Sequence, residues 1–346
     1  MLYNKMFFYI LAFISLLVLV VICFLIFDIK KQNYEKGSLN GTFHSLLYRP
    51  IDIVHLNYFK NITPSKIENK IYVYSRQVIK GYHYLKNQKI VVAGLLYNAE
   101  SQVEYLKSWF NELKLVCKEC VFAIVENNSQ DNTRMYLQKW KKEDPLHIHL
   151  ICIDTDFCDS DINSVSVNNS SPDSNRIRKM AFLRNVYVKY IQEHFKNFDY
   201  VFIKDLDLEG HLFWDGIFHS FYCFQKLSNI DVITCNGLMK KTLKYYDTFA
   251  YAKDSFEIGW NFGLDKRNHD ADVLEYVSKK YQENMDLDKV ASAFGGFAIY
   301  KMNLFKDKFY SYDPNRLSCE HCLYHLLYQN VFVNPHLIFL IQENKT

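Results

Sequence analysis

The 346-residue chain is 49% hydrophobic, 16% aromatic and 23% charged, too rich in apolar and aromatic side chains for a disordered protein. Its 41 Lys and Arg against 38 Asp and Glu leave a formal charge of +3. So small a surplus, with no RNP-like, zinc-finger or Walker pattern, argues against nucleic acid as a partner.

The first predicted element is a membrane anchor. Met6 to Phe27 carries no charged residue, and about twenty-two residues at 1.5 Å each span roughly 30 Å, the thickness of bilayer hydrocarbon. A cleaved signal peptide would have a shorter apolar region ending in small residues. This run ends Phe24-Leu25-Ile26-Phe27-Asp28. The expected organisation is a tail over 1–5, an anchor over 6–27, a polar stem over 28–88 with an alternating piece at Ile71–Tyr74, and a globular domain over 89–346. Lys5 precedes the span while Lys30, Lys31 and Lys36 follow it, a charge bias that favours a cytosolic body.

The domain opens with Ile90–Leu96, a continuous apolar run expected of a strand buried on both faces. Val103, Leu106, Phe110, Leu113 and Cys117 then recur at helical spacing. Val121–Val125 is a second strand, a helix follows from Asp131, and Ile148–Ile153 is a third strand. The segment 154–174, rich in Asp, Asn and Ser, reads as a loop. A helix is predicted from about Arg176 to Phe195, and Asp199–Lys204 is a further strand. This alternation argues for an α/β fold with a mostly parallel, Rossmann-like sheet flanked by helices. In such sheets the ligand crevice lies beyond the carboxyl ends of the strands.

The polar residues that follow the strands are the candidate site. Asp205 and Asp207 offer two carboxylates directly after a buried strand, a donor set for hard ions such as Mn²⁺ or Mg²⁺ that bridge to substrate phosphates. A solvated turn uses the same residues. Glu126 at a strand end is placed to accept hydrogen bonds from a base or ribose, and Ser129 or Asp131 to cap the next helix. Arg176, Arg178, Lys179 and Arg184 cluster in the first half of a helix, the end that favours anions. Arg184 is the preferred diphosphate contact, because a guanidinium fork matches phosphate oxygens. Gly295 and Gly296 precede an apolar strand and permit close approach of a ligand or a tight turn. Glu320 is a candidate general base or a helix-start carboxylate. His321 and His336 are each a candidate third metal ligand or an ordinary polar histidine.

Taken in order, these segments resemble the fungal capsule-associated (α-1,3-)mannosyltransferases and their bacterial and viral relatives. The resemblance covers roughly Lys89 to Ile341. It rests on Leu96-Tyr97-Asn98-Ala99-Glu100, the Glu126–Thr133 loop, Arg184-Asn185, Asp205-Leu206-Asp207, Tyr246-Asp247-Thr248, Phe294-Gly295-Gly296, Cys319-Glu320-His321 and Val333-Asn334-Pro335. It implies a GT-A fold, a nucleotide-sugar donor, a divalent cation, a glycan or glycoprotein acceptor, and a type II protein with a lumenal domain. It puts Glu126 and Asp131 near the nucleoside, Arg184 with Asn185 near the diphosphate, Asp205 and Asp207 on the metal, and Gly295 and Gly296 along the donor sugar. Glu320 and His321 fall on the acceptor or metal side. The fungal members tend to carry Asn-Asp where this chain has Lys204-Asp205, so the donor sugar, mannose included, stays open. A metal-dependent nucleotidyltransferase and a non-catalytic, membrane-tethered glycan-binding module are the alternatives.

Nine cysteines include Cys117-x-x-Cys120 and Cys319-x-x-Cys322. They fit structural thiols, disulfides in an oxidising lumen, or a four-thiolate zinc site. Sequons at Asn40, Asn61, Asn168, Asn169 and Asn344 suit a lumenal domain but also arise by chance in an Asn-rich chain.

Overall fold

The computed structural model describes residues 64–153, 174–255, 276–278, 280–281, 286–314 and 318–342. The expected anchor over 6–27, the first part of the stem, the loop over 154–173 and the sequons named above lie outside these residues. Among the described residues no helix is long and apolar enough to cross a membrane.

In chain order the elements are α1 (Pro64–Leu85), β1 (Lys89–Leu96), α2 (Val103–Val116), β2 (Glu119–Glu126), α3 (Thr133–Glu143), β3 (Ile148–Cys152), α4 (Ser174–His194), β4 (Tyr200–Lys204), β5 (Gly210–Leu212), α5 (Trp214–Lys226), β6 (Val232–Met239), β7 (Asp288–Val290), β8 (Phe297–Lys301), α6 (Met302–Phe305), α7 (Glu320–His325) and β9 (Val331–Ile341).

Helix α1 occupies part of the expected stem. Tyr74, Val78, Tyr82 and Leu85 are buried, and their spacing puts them on one stripe of a helix. The alternation read at Ile71–Tyr74 is therefore a turn of helix, not a strand. The stripe packs on α5, and a Cβ at Gly81 would stand 1.7 Å from the Phe218 carbonyl oxygen. Tyr74 Oη also donates to Asp215 Oδ2 at 2.7 Å. The folded unit thus begins before Lys89.

Among the described residues nine strands form one sheet, in the order β3-β2-β1-β4-β8-β6-β9-β5, with β7 also on β9. The half β3-β2-β1-β4 is parallel. Strand β8 runs antiparallel to both β4 and β6, and β5 and β7 run antiparallel to β9. Only β6 and β9 pair in parallel in this second half. The sheet is therefore mixed, which corrects the mostly parallel expectation. A strand buried on both faces reads the same in sequence whichever way it runs.

These directions bring the carboxyl ends of β1, β2, β3, β4, β6 and β9 to a single edge, together with the starts of β5 and β8. Side chains alternate across the sheet. Tyr200 and Phe202 face Phe221 of α5, on the side where Trp109 of α2 stacks on Trp214 at 5.8 Å. Tyr300 of β8 faces Tyr324 of α7 on the opposite side, where α7 contacts α4.

Candidate active site

The acidic triplet leaves β4 at the carboxyl edge. Leu206 is fully buried and wedges against Gly94 of β1, where an added Cβ would lie 2.6 Å from Leu206 Cγ. The Asp205 N–H donates to the Gly296 carbonyl at 3.0 Å. The triplet is thus pinned on both sides. The Asp205 side chain keeps 23% exposure and Asp207 is exposed.

Arg184 organises what lies beneath. It is 3% exposed, and a guanidinium so buried requires carboxylate partners. Its Nε donates to Glu320 Oε1 at 3.0 Å and its Nη2 to Asp205 Oδ1 at 3.2 Å. The guanidinium carbon stands 5.6 Å from the Phe294 ring and 5.7 Å from the Tyr310 ring. Arg184, Asp205 and Glu320 are therefore brought together across more than a hundred residues. The fork expected to meet a diphosphate is instead engaged by two carboxylates.

His321 joins the same aromatic box. Its ring stacks on Phe294 at 3.7 Å between centroids and meets Tyr310 edge-on at 5.4 Å. It is 2% exposed, and neither ring nitrogen has a hydrogen-bond partner among the described residues. Burial, reinforced by the Arg184 charge, holds its pKa well below the ordinary histidine value. The ring is neutral and keeps a lone pair.

Asp247 and Lys204 also carry site features. Asp247 accepts from the backbone N–H groups of Ala250 and Gly295, each at 3.3 Å. Burial, with the Asp205 charge second, pushes its carboxyl up to about 7. Lys204 is fully buried, lies 4.6 Å over the Phe339 ring and donates to the Asp205 carbonyl at 2.9 Å. Burial brings its ammonium down to about 8. Burial likewise raises the Asp205 carboxyl to about 6 against the pull of Arg184. Tyr246-Asp247-Thr248 was visible in the sequence, but nothing local indicated its packing against Gly295.

The other expected site residues have different neighbours. Glu126 is fully buried, and its carboxylate accepts from the Ser129 N–H and from Arg134 Nε. It holds its own loop closed instead of facing a nucleoside. Asp131 accepts from the Thr133 N–H at 3.0 Å and the Glu100 N–H at 3.1 Å, which joins the loops after β1 and β2. Asn185 Nδ2 donates to the Tyr310 carbonyl at 2.9 Å, and the Tyr310 N–H donates to Asn185 Oδ1 at 2.7 Å. That amide is consumed by backbone, not presented to a phosphate. Gly295 and Gly296 have φ of +65° and +91°, a region open chiefly to glycine. A Cβ on Gly295 would stand 2.6 Å from the Cys235 carbonyl, so protein packing already explains it.

His336 is corrected more sharply. Its ring stacks on Tyr74 of α1 at 4.1 Å and meets His219 of α5 at 4.7 Å, the side of the sheet opposite α4. A bulge between Cys235 and Asn236 shifts the β6–β9 register next to it, which periodicity does not reveal. Among the described residues no three His, Cys, Asp or Glu side chains form a ready metal cage, so neither the four-thiolate zinc site nor a preformed third-ligand arrangement is present. The described cysteines, both Cys-x-x-Cys pairs included, are free thiols.

A family model for Cryptococcal mannosyltransferase 1 matches residues 89–326. The chain belongs to this family. The match to the Cryptococcal mannosyltransferase 1 family runs from the first residue of β1 past the end of α7. It therefore holds Arg184, Asp205, Asp247, Gly295, Glu320 and His321 in one glycosyltransferase domain, and leaves out α1 and His336. No curated protein matches the chain by sequence. Among solved structures, S. aureus TarS 1–349 in complex with UDP-GlcNAc is similar at 13% identity and a TM-score of 0.43, over 75% of this chain and 59% of that one. The chain thus spans about three fifths of the length of the TarS 1–349 structures it matches. Mannosyltransferase PcManGT from Pyrobaculum calidifontis in complex with GDP-Man and Mn²⁺ is similar at 12% identity and a TM-score of 0.43, over 84% of this chain and 68% of that one. M. tuberculosis glucosyl-3-phosphoglycerate synthase is similar at 12% identity and a TM-score of 0.41, over 78% and 77%.

Proposed function

We propose that this chain is a membrane-anchored, metal-dependent glycosyltransferase that moves a hexosyl group from a nucleotide sugar to a glycan or glycoprotein. Its anchor is residues 6–27, and the transferase reading outweighs the bias of the flanking lysines and puts its domain on the lumenal side of a type II arrangement. The observation that carries this reading is the bridging of Asp205 and Glu320 by Arg184 at the carboxyl edge of β4, next to the exposed carboxylate of Asp207.

The residues present fit a divalent cation. Asp205 and Asp207 are hard oxygen donors, and Mn²⁺ or Mg²⁺ is commonly held by one or two carboxylates plus substrate phosphates. The two ring nitrogens of His321 lack a partner among the described residues, which leaves it the histidine to test as a third ligand although no ready cage forms there, whereas His336 is placed elsewhere. When bound, such an ion neutralises charge on a leaving nucleoside diphosphate.

The chain's own groups do the rest. Arg184 holds Asp205 in one rotamer, and Glu320, with Oε1 committed to Arg184, positions that guanidinium. Asp247, whose carboxyl is raised to about 7, is better matched than a paired Glu320 to take a proton from an acceptor hydroxyl near neutral pH. Leu206 and Gly296 fix the backbone from which both acids project.

The test is release of nucleoside diphosphate by the purified full chain from a panel of nucleotide sugars with Mn²⁺. Asp207→Asn is expected to lower release by on the order of 100-fold or more with an unchanged melting temperature, and EDTA to abolish it. Undiminished release in EDTA would remove the metal from the proposal. No release from any nucleotide sugar would sink the transferase reading.

A further inference from the structure

A separate cleft opens beside the acidic loop, on the α2 side of the sheet. Its volume is about 250 Å³, and Ser101, Gln102, Tyr105, Glu209, Lys240 and Gln342 line it. That is below the roughly 300 Å³ at which drug-sized sites begin, a scale suited to one sugar ring. The walls come from the turn after β1, the loop between Asp207 and β5, the turn after β6 and the end of β9. All four segments are delivered to the carboxyl edge by the strand directions described above.

We propose that this cleft is the subsite for one neutral pyranose unit of the acceptor, an inference that rests on the transferase reading above. Gln102 is 7% exposed, and the side chains of Gln102, Glu209, Lys240 and Gln342 have no hydrogen bond or ion pair among the described residues. Two amides, a carboxylate, an ammonium and the Ser101 hydroxyl thus belong to residues that line one cleft and have no side-chain bond among the described residues. Together they supply both donors and acceptors, which is what vicinal hydroxyls require. The Tyr105 ring gives an apolar surface for the C–H face of a sugar. Glu209 opposes an anionic occupant, which separates this cleft from a diphosphate site.

The placement connects the cleft to the chemistry. Glu209 follows Asp207 by two residues, a chain reach of at most roughly 7 Å. The Lys204 ammonium lies 6.0 Å over the Tyr105 ring while donating to the Asp205 carbonyl. It therefore links the cleft wall to the acidic loop. Asp205 turns toward α4 and the cleft lies toward α2, so donor and acceptor would approach Asp207 from opposite sides of the sheet edge.

The experiment is saturation-transfer NMR on the full chain in lauryldimethylamine oxide, a detergent without a sugar headgroup. The probes are the methyl glycosides of mannose, galactose and xylose. At least one is expected to bind, with Ser101→Trp, which fills the cleft from an exposed position, and Lys240→Ala each weakening it by about tenfold. Asp207→Asn should leave that binding unchanged. No binding by any of the three, or binding that Ser101→Trp leaves intact, would overturn the proposal. Nucleoside diphosphate release without glycoside binding removes the subsite alone. Glycoside binding that depends on Ser101 and Lys240, without release from any donor, removes the transferase reading and leaves a sugar-binding cleft.

Discussion

Replacing Arg184 by Met removes the cation that bridges Glu320 and Asp205. The Glu320 and Asp205 oxygens lie 3.0 and 3.2 Å from the guanidinium nitrogens. With an effective dielectric of about 20, each such contact has a gross attraction of about 5 kcal/mol. The Asp205 side chain is 23% exposed, so water compensates much of its share, and about 1 kcal/mol is lost there. Glu320 is 8% exposed at its side chain and has little water to turn to. The sum is a loss of about 3–5 kcal/mol. For a domain of this size that lowers the melting temperature by about 6–20 °C. Near-ultraviolet circular dichroism is the assay, because the stacked Trp109–Trp214 pair reports tertiary structure. Arg184→Met combined with Glu320→Gln should lose at least about 1 kcal/mol less than the sum of the single changes. A loss under about 1 kcal/mol for Arg184→Met, or strict additivity in the double variant, would refute the reasoning.

Gly295→Ala should cost about 1–3 kcal/mol in thermal denaturation, since its φ is +65° and the new methyl would meet the Cys235 carbonyl; a change under about 0.5 kcal/mol would contradict the close packing of this turn. His325 is buried between Ser292 Oγ at 3.0 Å and Tyr300 Oη at 2.8 Å, and burial brings its pKa down to about 3. Between that value and the unfolded value of about 6.5 the unfolded chain binds more protons. Stability should therefore fall by up to about 1.4 kcal/mol per pH unit as pH drops below about 6.5, and this term should be constant above it. His325→Gln should flatten the fall, as read from melting temperatures between about pH 4.5 and 7.5.

The strands of the first half of the fold were legible because each is an unbroken apolar run with a polar stop. The placement of Asp205 and Asp207 at the sheet edge was legible because the acids sit directly after such a run. The same pattern failed at Glu126, which also ends a strand. Sequence shows an acid at the edge but not that Arg134, the second residue of the next helix, reaches back to cover it. Arg184–Glu320 was invisible as a pair for a simpler reason. Their separation of 136 residues is closed only by packing α7 on α4, and no local periodicity records that. Helix α1 reads as stem in sequence because Ile71–Tyr74 alternates over four residues, and the deciding stripe, Tyr74 to Leu85, is longer than that window. The reversed direction of β8 was hidden by the symmetry of its own burial.

The amide of Asn185 has a consequence for how the site could move. It grips the Tyr310 backbone from both sides, as a neighbouring strand would, though residues 306–314 belong to no sheet. Arg184 is the adjacent residue on the same helix, and Tyr310 forms one wall of its aromatic box. Cation and wall are therefore mounted on a single rigid carrier. If α4 shifts when a donor binds, the guanidinium travels with that wall, and the quantity that changes is its distance to Asp205. The fold thereby allows the grip on the acidic loop to tighten or relax while that wall of the buried charge stays in place.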